Sequence, residues 1–181
     1  MDTNETIALI VSIFTTLFAV AGMQFRNMKH ILVSQLLANS LLGVQYILED
    51  QLSASGIVMV AILQTAISFV FSYKKKVFPI WLTLIFCVAF TGVSILSYQS
   101  LWDIRPLAAV WFFAWAVVQK NSAICRILSF CNTTLWLTYD IFNAPSAILT
   151  HTVILAFIVI GIIRQDQAEW ARTFKKIRNK N

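Results

Sequence analysis

Long apolar blocks recur along this chain, divided by short polar segments, and their length limits what it can fold into. The clearest are residues 6–23, 31–48, 57–73, 77–96 and 147–163. A helix needs roughly 20 mostly apolar residues to cross the hydrocarbon core of a bilayer. In lipid every backbone polar group must be satisfied within the protein, so only helices and closed barrels can span. The blocks lack the alternation of a barrel strand and are too long for one. The reading is therefore an all-α integral membrane protein. Composition agrees, since 59% of the 181 residues are hydrophobic, 12% are charged and the mean hydropathy is +0.75. So few charges could not cover the surface of a soluble domain this apolar.

Two further spans bring the expected number to seven. The sixth runs over residues 127–142 and ends at Asn143-Ala144-Pro145. The fifth is apolar only over residues 107–118, and reaches spanning length when extended back to Leu101, across Asp103, Arg105 and Pro106. An internal repeat supports that extension. The segment QLLANSLLGVQY (35–46) is echoed 93 positions later by LSFCNTTLWLTY (128–139), which places Asn39 on Asn132, Tyr46 on Tyr139 and Leu101 on Ala8. Eight of the 37 pairs between residues 31–67 and 124–160 are identical, without a gap. Repeats at a fixed offset decide architecture. Here they predict two three-helix units, residues 1–76 and 99–164, joined by a linker helix within residues 77–98 and followed by a basic tail, 165–181. An odd linker keeps the two units parallel, about a pseudo-twofold axis along the membrane normal.

Charge sets the expected orientation. Cytoplasmic loops carry the excess of Lys and Arg. With the N-terminus outside, 13 of the 14 basic residues fall inside, namely Arg26, Lys29, Lys74–Lys76, Lys120, Arg126, Arg164 and five in the tail, and only Arg105 lies outside. Asp2, Glu5, Glu49, Asp50 and Asp103 are then external. The topology is N-out, C-in, and it accounts for the net charge of +6 without a nucleic-acid partner. Ala19-Val20-Ala21-Gly22 looks like a signal-peptide cleavage site, but acidic residues precede the first span where a signal peptide has basic ones. Cys87, Cys125 and Cys131 are odd in number and match no zinc spacing, so they imply neither disulfide framework nor metal. Trp170, Phe174 and Ile177 share one stripe of the tail, beside Arg172, Lys175, Lys176 and Arg178, which suits a short amphipathic helix on anionic lipid.

Polar residues within spans are costly in hydrocarbon and so are informative. Gln35, Asn39 and Tyr46 lie on one face of the second span, and Asn132 and Tyr139 repeat the lower part of that face in the sixth. Two readings stand. The asparagines join helices through hydrogen bonds, or they line a solute cavity together with Gln64 of the third span. Trp136, opposite Gly43 in the repeat, would fill a shared central space or face lipid. Gln64, Ser68 and Ser72 form a stripe, but Phe157 is the counterpart of Gln64. Asp140 and His151 fall at similar depth, where an Asp–His pair could carry a proton because histidine titrates near neutral pH; simple capping in the outer water layer is the other reading. Arg126 is expected to reach out to lipid phosphates. The remaining tryptophans, Trp81, Trp102, Trp111, Trp115 and Trp170, suit interface or packing positions. There is no HExxH, GxSxG, Gly-rich phosphate loop or intramembrane carboxylate pair, so neither an enzyme nor a cofactor is expected.

The runs QFRNMKHILVSQLLANSLLG (24–43) and CRILSFCNTTLWLTYDIF (125–142), with the short outer loop after Leu48, resemble the YgjV family of bacterial inner-membrane proteins. The plan of three, one and three helices is also similar to SWEET and PQ-loop proteins. This chain lacks their Pro-Gln pair, since Ile80 follows Pro79 and Leu107 follows Pro106. Where such proteins tend to have Asn on the third helix, it has Gln64, with Phe157 at the paired position. The resemblance implies a multi-pass protein of the bacterial plasma membrane whose relatives include carriers of small solutes. A carrier of a small polar solute is thus expected, with Asn39, Asn132, Gln64 and Gln35 binding and Tyr46, Tyr139 and Trp136 lining or gating. A membrane scaffold, receptor or assembly factor is the alternative, and a homo-oligomer is left open.

Overall fold

The computed structural model describes residues 3–48, 52–96, 104–143 and 148–166. Seven α-helices occupy them, in the order α1 (Thr3–Gln24), α2 (Met28–Leu48), α3 (Leu52–Tyr73), α4 (Ile80–Leu96), α5 (Ile104–Ala116), α6 (Ser122–Asn143) and α7 (Ile148–Gly161). A π-helical turn, Ile162–Asp166, extends α7. No strand occurs among the described residues. Leu101, Trp102, Asp103 and the tail beyond Asp166, with its tryptophan stripe, lie outside the described residues.

Several helix ends differ from the apolar blocks, and local chemistry explains the starts of α2, α4 and α6. Asn27 caps α2: its Oδ1 accepts the Lys29 N–H at 3.0 Å and its carbonyl accepts from Ile31. Asn121 does the same for α6, accepting from the Ala123 N–H at 2.7 Å. Capping draws both helices back beyond their apolar stretches. α4 begins at Ile80, not at residue 77, because Pro79 disfavours helical backbone at the residue before it. α3 ends in a Schellman turn. Lys76 N–H donates to the Phe71 carbonyl and Lys75 N–H to that of Ser72, with Lys75 at φ 54°.

The helices pack as a ring. α1 lies on α2 and α7, α2 on α3, α4 between α3 and α5, α5 on α6, and α6 on α7. A core of Ile31, Leu32, Phe86, Phe90, Val110 and Phe113 ties α2 to α4 and α5. The Phe90 and Phe113 rings meet edge to face at 6.4 Å. The α1–α7 seam is polar and tight. Ser12 and Thr150 share a hydrogen bond at 3.3 Å, and Gln24 donates to the Phe157 carbonyl at 2.8 Å. Gly161 sits so close that a Cβ there would lie 2.7 Å from the Met23 carbonyl oxygen.

The distribution of polarity is inverted. Large apolar side chains such as Ile13, Leu37, Leu63, Val88, Trp111, Ile141 and Leu149 face outward, while Gln64, Thr65, Thr83, Arg126 and Asp140 are buried. An outer surface carrying so many large apolar side chains suits lipid. Met28–Leu48, Ser55–Tyr73 and Ile148–Gln165 are long and apolar enough to cross a membrane. Ile10–Gln24, Ile80–Leu96 and Ile104–Ala116 are shorter apolar helices.

Candidate functional site

The ring borders a partly open cavity of about 110 Å³, lined from every helix except α4. A water needs at least about 10–15 Å³ of such space, so the cavity has room for several waters or a small solute. Asn39, Gln35 and Tyr46 reach it from α2, Asn132 and Trp136 from α6, and His151 from α7. Its remaining wall is largely apolar, with Ala38, Leu42, Ala61 and Phe113 among the lining residues.

The asparagines define its chemistry. Asn39 Nδ2 and Asn132 Oδ1 are buried atoms with no hydrogen-bond partner, and the two amides do not bond to each other. An unmet buried amide is destabilising by about 1–3 kcal/mol unless something in the cavity meets it. One donor and one acceptor on opposing helices would suit a ligand that offers both.

Trp136 links this site to the Asp140–His151 pair. His151 Nδ1 is paired with Asp140 Oδ2 across the α6–α7 contact. The imidazole stacks on Trp136 with centroids 6.2 Å apart and planes 6° from parallel, and Tyr139 meets the same indole edge to face at 6.0 Å. Asp140 is 2% exposed, so this pairing is internal and is not a cap in the outer water layer. The carboxylate fixes the orientation of the imidazole. Tyr139 supports Trp136 and does not line the cavity.

Three residues take places that their sequence positions did not suggest. Gln64 does not line the cavity. It is fully buried, and its Nε2 donates to the Ala114 carbonyl of α5 at 2.8 Å. The rotation of α3 turns it into the α3–α5 contact, one turn beyond Ala61, which does line the cavity. Arg126 does not reach out to lipid. It is 1% exposed, and it donates to the Phe25 carbonyl at 2.8 Å and to Ser122 Oγ at 3.2 Å, tying α6 to the end of α1. A main-chain carbonyl left free past the end of α1 gives the guanidinium an internal acceptor. Gly43 does not share space with Trp136; a Cβ there would meet Val58 of α3 at 3.4 Å.

Ser129 and Thr133 also line the cavity, as does Thr15 of α1. They were legible in principle. Arg126, Ser129, Thr133, Trp136 and Asp140 follow 3-4-3-4 spacing, one continuous face of a helix. All but Trp136 are buried.

No curated protein and no solved structure matches the chain. A family model does, over residues 6–169, and it describes bacterial inner membrane proteins. That match takes in all seven helices, the cavity and the seam between α1 and α7. The chain belongs to the Imp-YgjV family of bacterial inner membrane proteins.

Proposed function

We propose that the chain is a multi-pass carrier of a small polar solute, with seven spans, its N-terminus outside and its C-terminus inside. Residues 1–76 and 99–164 are two parallel units that rock about the solute, as alternating access requires. The helix within residues 77–98 links them, and the basic tail 165–181 lies on anionic lipid. No enzymatic step is assigned.

The observation that carries this reading is the central cavity with two unpartnered asparagine amides, one at each of two equivalent positions of the repeat. Glue between helices would pair those amides with protein, and here they are not paired. Further support comes from the asparagine caps that open both α2 and α6. The Gln64–Ala114 contact serves as the seal. Ala61 and Phe113 border the central cavity on one side of it, and Ser68 and Val117 border a second cavity on the other. Trp136, held between His151 and Tyr139, forms the wall on the far side. The Asp140–His151 pair beside it is positioned to link a proton to the solute step.

The test is uptake by proteoliposomes across sugars, nucleosides and vitamins, with Asn39→Ala and Asn132→Ala as controls. A carrier takes up at least one of these classes, and each variant lowers the rate at least tenfold. Uptake of none of them, with the protein folded and correctly inserted, favours a scaffold.

A further inference from the structure

A second cavity, of about 230 Å³, lies at the lysine-rich ends of α3 and α5. Ser68, Ser72, Lys75 and Lys76 line it from α3 and its turn, and Gln119 and Lys120 from the segment after α5. We propose that it binds a phosphate-type oxyanion, carried by a phospholipid headgroup or by a small water-soluble phosphate.

Three lysines from two separate connections border one space. A polybasic loop held only by membrane topology needs no cavity between its lysines. The deep wall supplies a second, independent feature. Ser68 is 3% exposed and borders the cavity, and its buried Oγ has no hydrogen-bond partner. A buried hydroxyl without a partner is an available donor for an anion. Gln119 commits one of its two Nε2 hydrogens to the Trp115 carbonyl at 3.0 Å, which leaves the other to donate.

The backbone adds a third feature. Lys75 occupies the left-handed position of the Schellman turn, at φ 54°, where glycine is the usual residue. The chain keeps a long cationic side chain where local conformation favours none. Strained positions of this kind cluster at ligand clamps.

The chemistry selects the ligand class. A phosphate spreads its charge over several oxygens and can meet several cations and a hydroxyl at once. A lone carboxylate would leave most of these groups unused. Basic pockets between helices at the cytoplasmic side suit phospholipid headgroups. The site stands whether or not the central cavity carries a solute.

The experiment uses the full chain purified in neutral detergent. The probes are inorganic phosphate, phosphatidylglycerol and, as a control, phosphatidylcholine. Binding is read from adducts in native mass spectrometry and from the shift in melting temperature. We expect phosphatidylglycerol, phosphate or both to bind at least tenfold more tightly than phosphatidylcholine. Ser68→Ala should weaken that binding about tenfold, the size expected for one hydrogen bond to a charged group. Lys76→Gln with Lys120→Gln should abolish it, while Lys76→Arg with Lys120→Arg retains it and guards against a folding artefact. Binding of phosphatidylglycerol alone assigns the headgroup, and binding of inorganic phosphate as well assigns a soluble anion. Absence of binding by both probes overturns the proposal. So does equal binding by wild type and Ser68→Ala, which would mark a diffuse positive surface.

Discussion

Truncating Asn39 or Asn132 to alanine removes an amide that bonds to no protein group. The structure therefore separates two quantities that usually fall together. An interhelical hydrogen bond in a membrane bundle is worth on the order of 1 kcal/mol, and its loss would lower the melting temperature. Here neither variant should lose stability in detergent, because no bonded partner is orphaned, while transport per folded molecule drops at least tenfold. Equal losses of stability with unchanged transport would return both residues to a packing role. Lys75 gives the opposite pattern. Its backbone is left-handed at φ 54°, a conformation that disfavours any side chain by about 1 kcal/mol relative to glycine. Lys75→Gly should thus raise stability by about that amount in chemical or thermal unfolding, and at the same time weaken phosphate binding. A stability gain without any loss of anion response would show that the turn holds a lysine for topology alone.

Between helices, two contacts have consequences out of proportion to their size. Gly161 lets α7 meet α1, and a methyl added there would lie 2.7 Å from the Met23 carbonyl and 3.3 Å from Arg126 Cδ. The carbonyl belongs to helical backbone and cannot move aside easily. Gly161→Ala should therefore cost about 1–3 kcal/mol, the usual penalty of overpacking, despite alanine's better helix propensity. The check is the melting temperature beside that of Gly92→Ala, whose Cβ would meet nothing within 4 Å. The second contact is Gln64 to Ala114. Gln64→Ala removes the bond and leaves a gap between the two cavities. A cysteine introduced at Ala61 should then react with an impermeant thiol reagent from the lysine-rich side, where it is unreactive with Gln64 in place. Continued protection would mean that other side chains of this layer, Thr65 or Ile31, suffice to close it. The sequence made the helices themselves readable, because apolar length in lipid leaves few alternatives. Caps were equally local, and Asn27 and Asn121 could have been recognised as starts. The face of α2 that carries Asn39 and Tyr46 followed from spacing alone. The rotation of α3 against α5 did not, since Gln64 is a cavity residue or a seam residue depending on an angle that no spacing encodes. Arg126 was hidden for a related reason: its acceptor, the Phe25 carbonyl, is a backbone group 101 residues away.

For the molecule as a whole, the inverted surface and the family place the protein in the bacterial inner membrane, and the direction of insertion is the property still to be measured. The charge asymmetry carries the expectation. Lys74, Lys75, Lys76 and Lys120 follow α3 and α5, at the end where α2 and α6 begin with their asparagine caps. Arg105 opens α5 at the opposite end, donates to the Thr138 carbonyl at 2.8 Å and lies over the Phe142 ring. A basic residue held in that way serves the α5–α6 contact, which explains why it can stand on the side otherwise poor in positive charge. Insertion that follows the positive-inside rule puts the lysine cavity in the cytoplasm. A fluorescent protein fused after Asn181 should therefore mature and glow, and a periplasmic phosphatase at the same point should be inactive. Fusions after residue 76 should behave like the C-terminal ones, and fusions after residue 50 should give the reverse. An active phosphatase after Asn181 alone would remove the odd number of spans, and the parallel repeat with it. An active phosphatase after both Asn181 and residue 76 would keep the repeat and invert the molecule, placing the lysine cavity outside, where phospholipid of the outer leaflet would be its ligand.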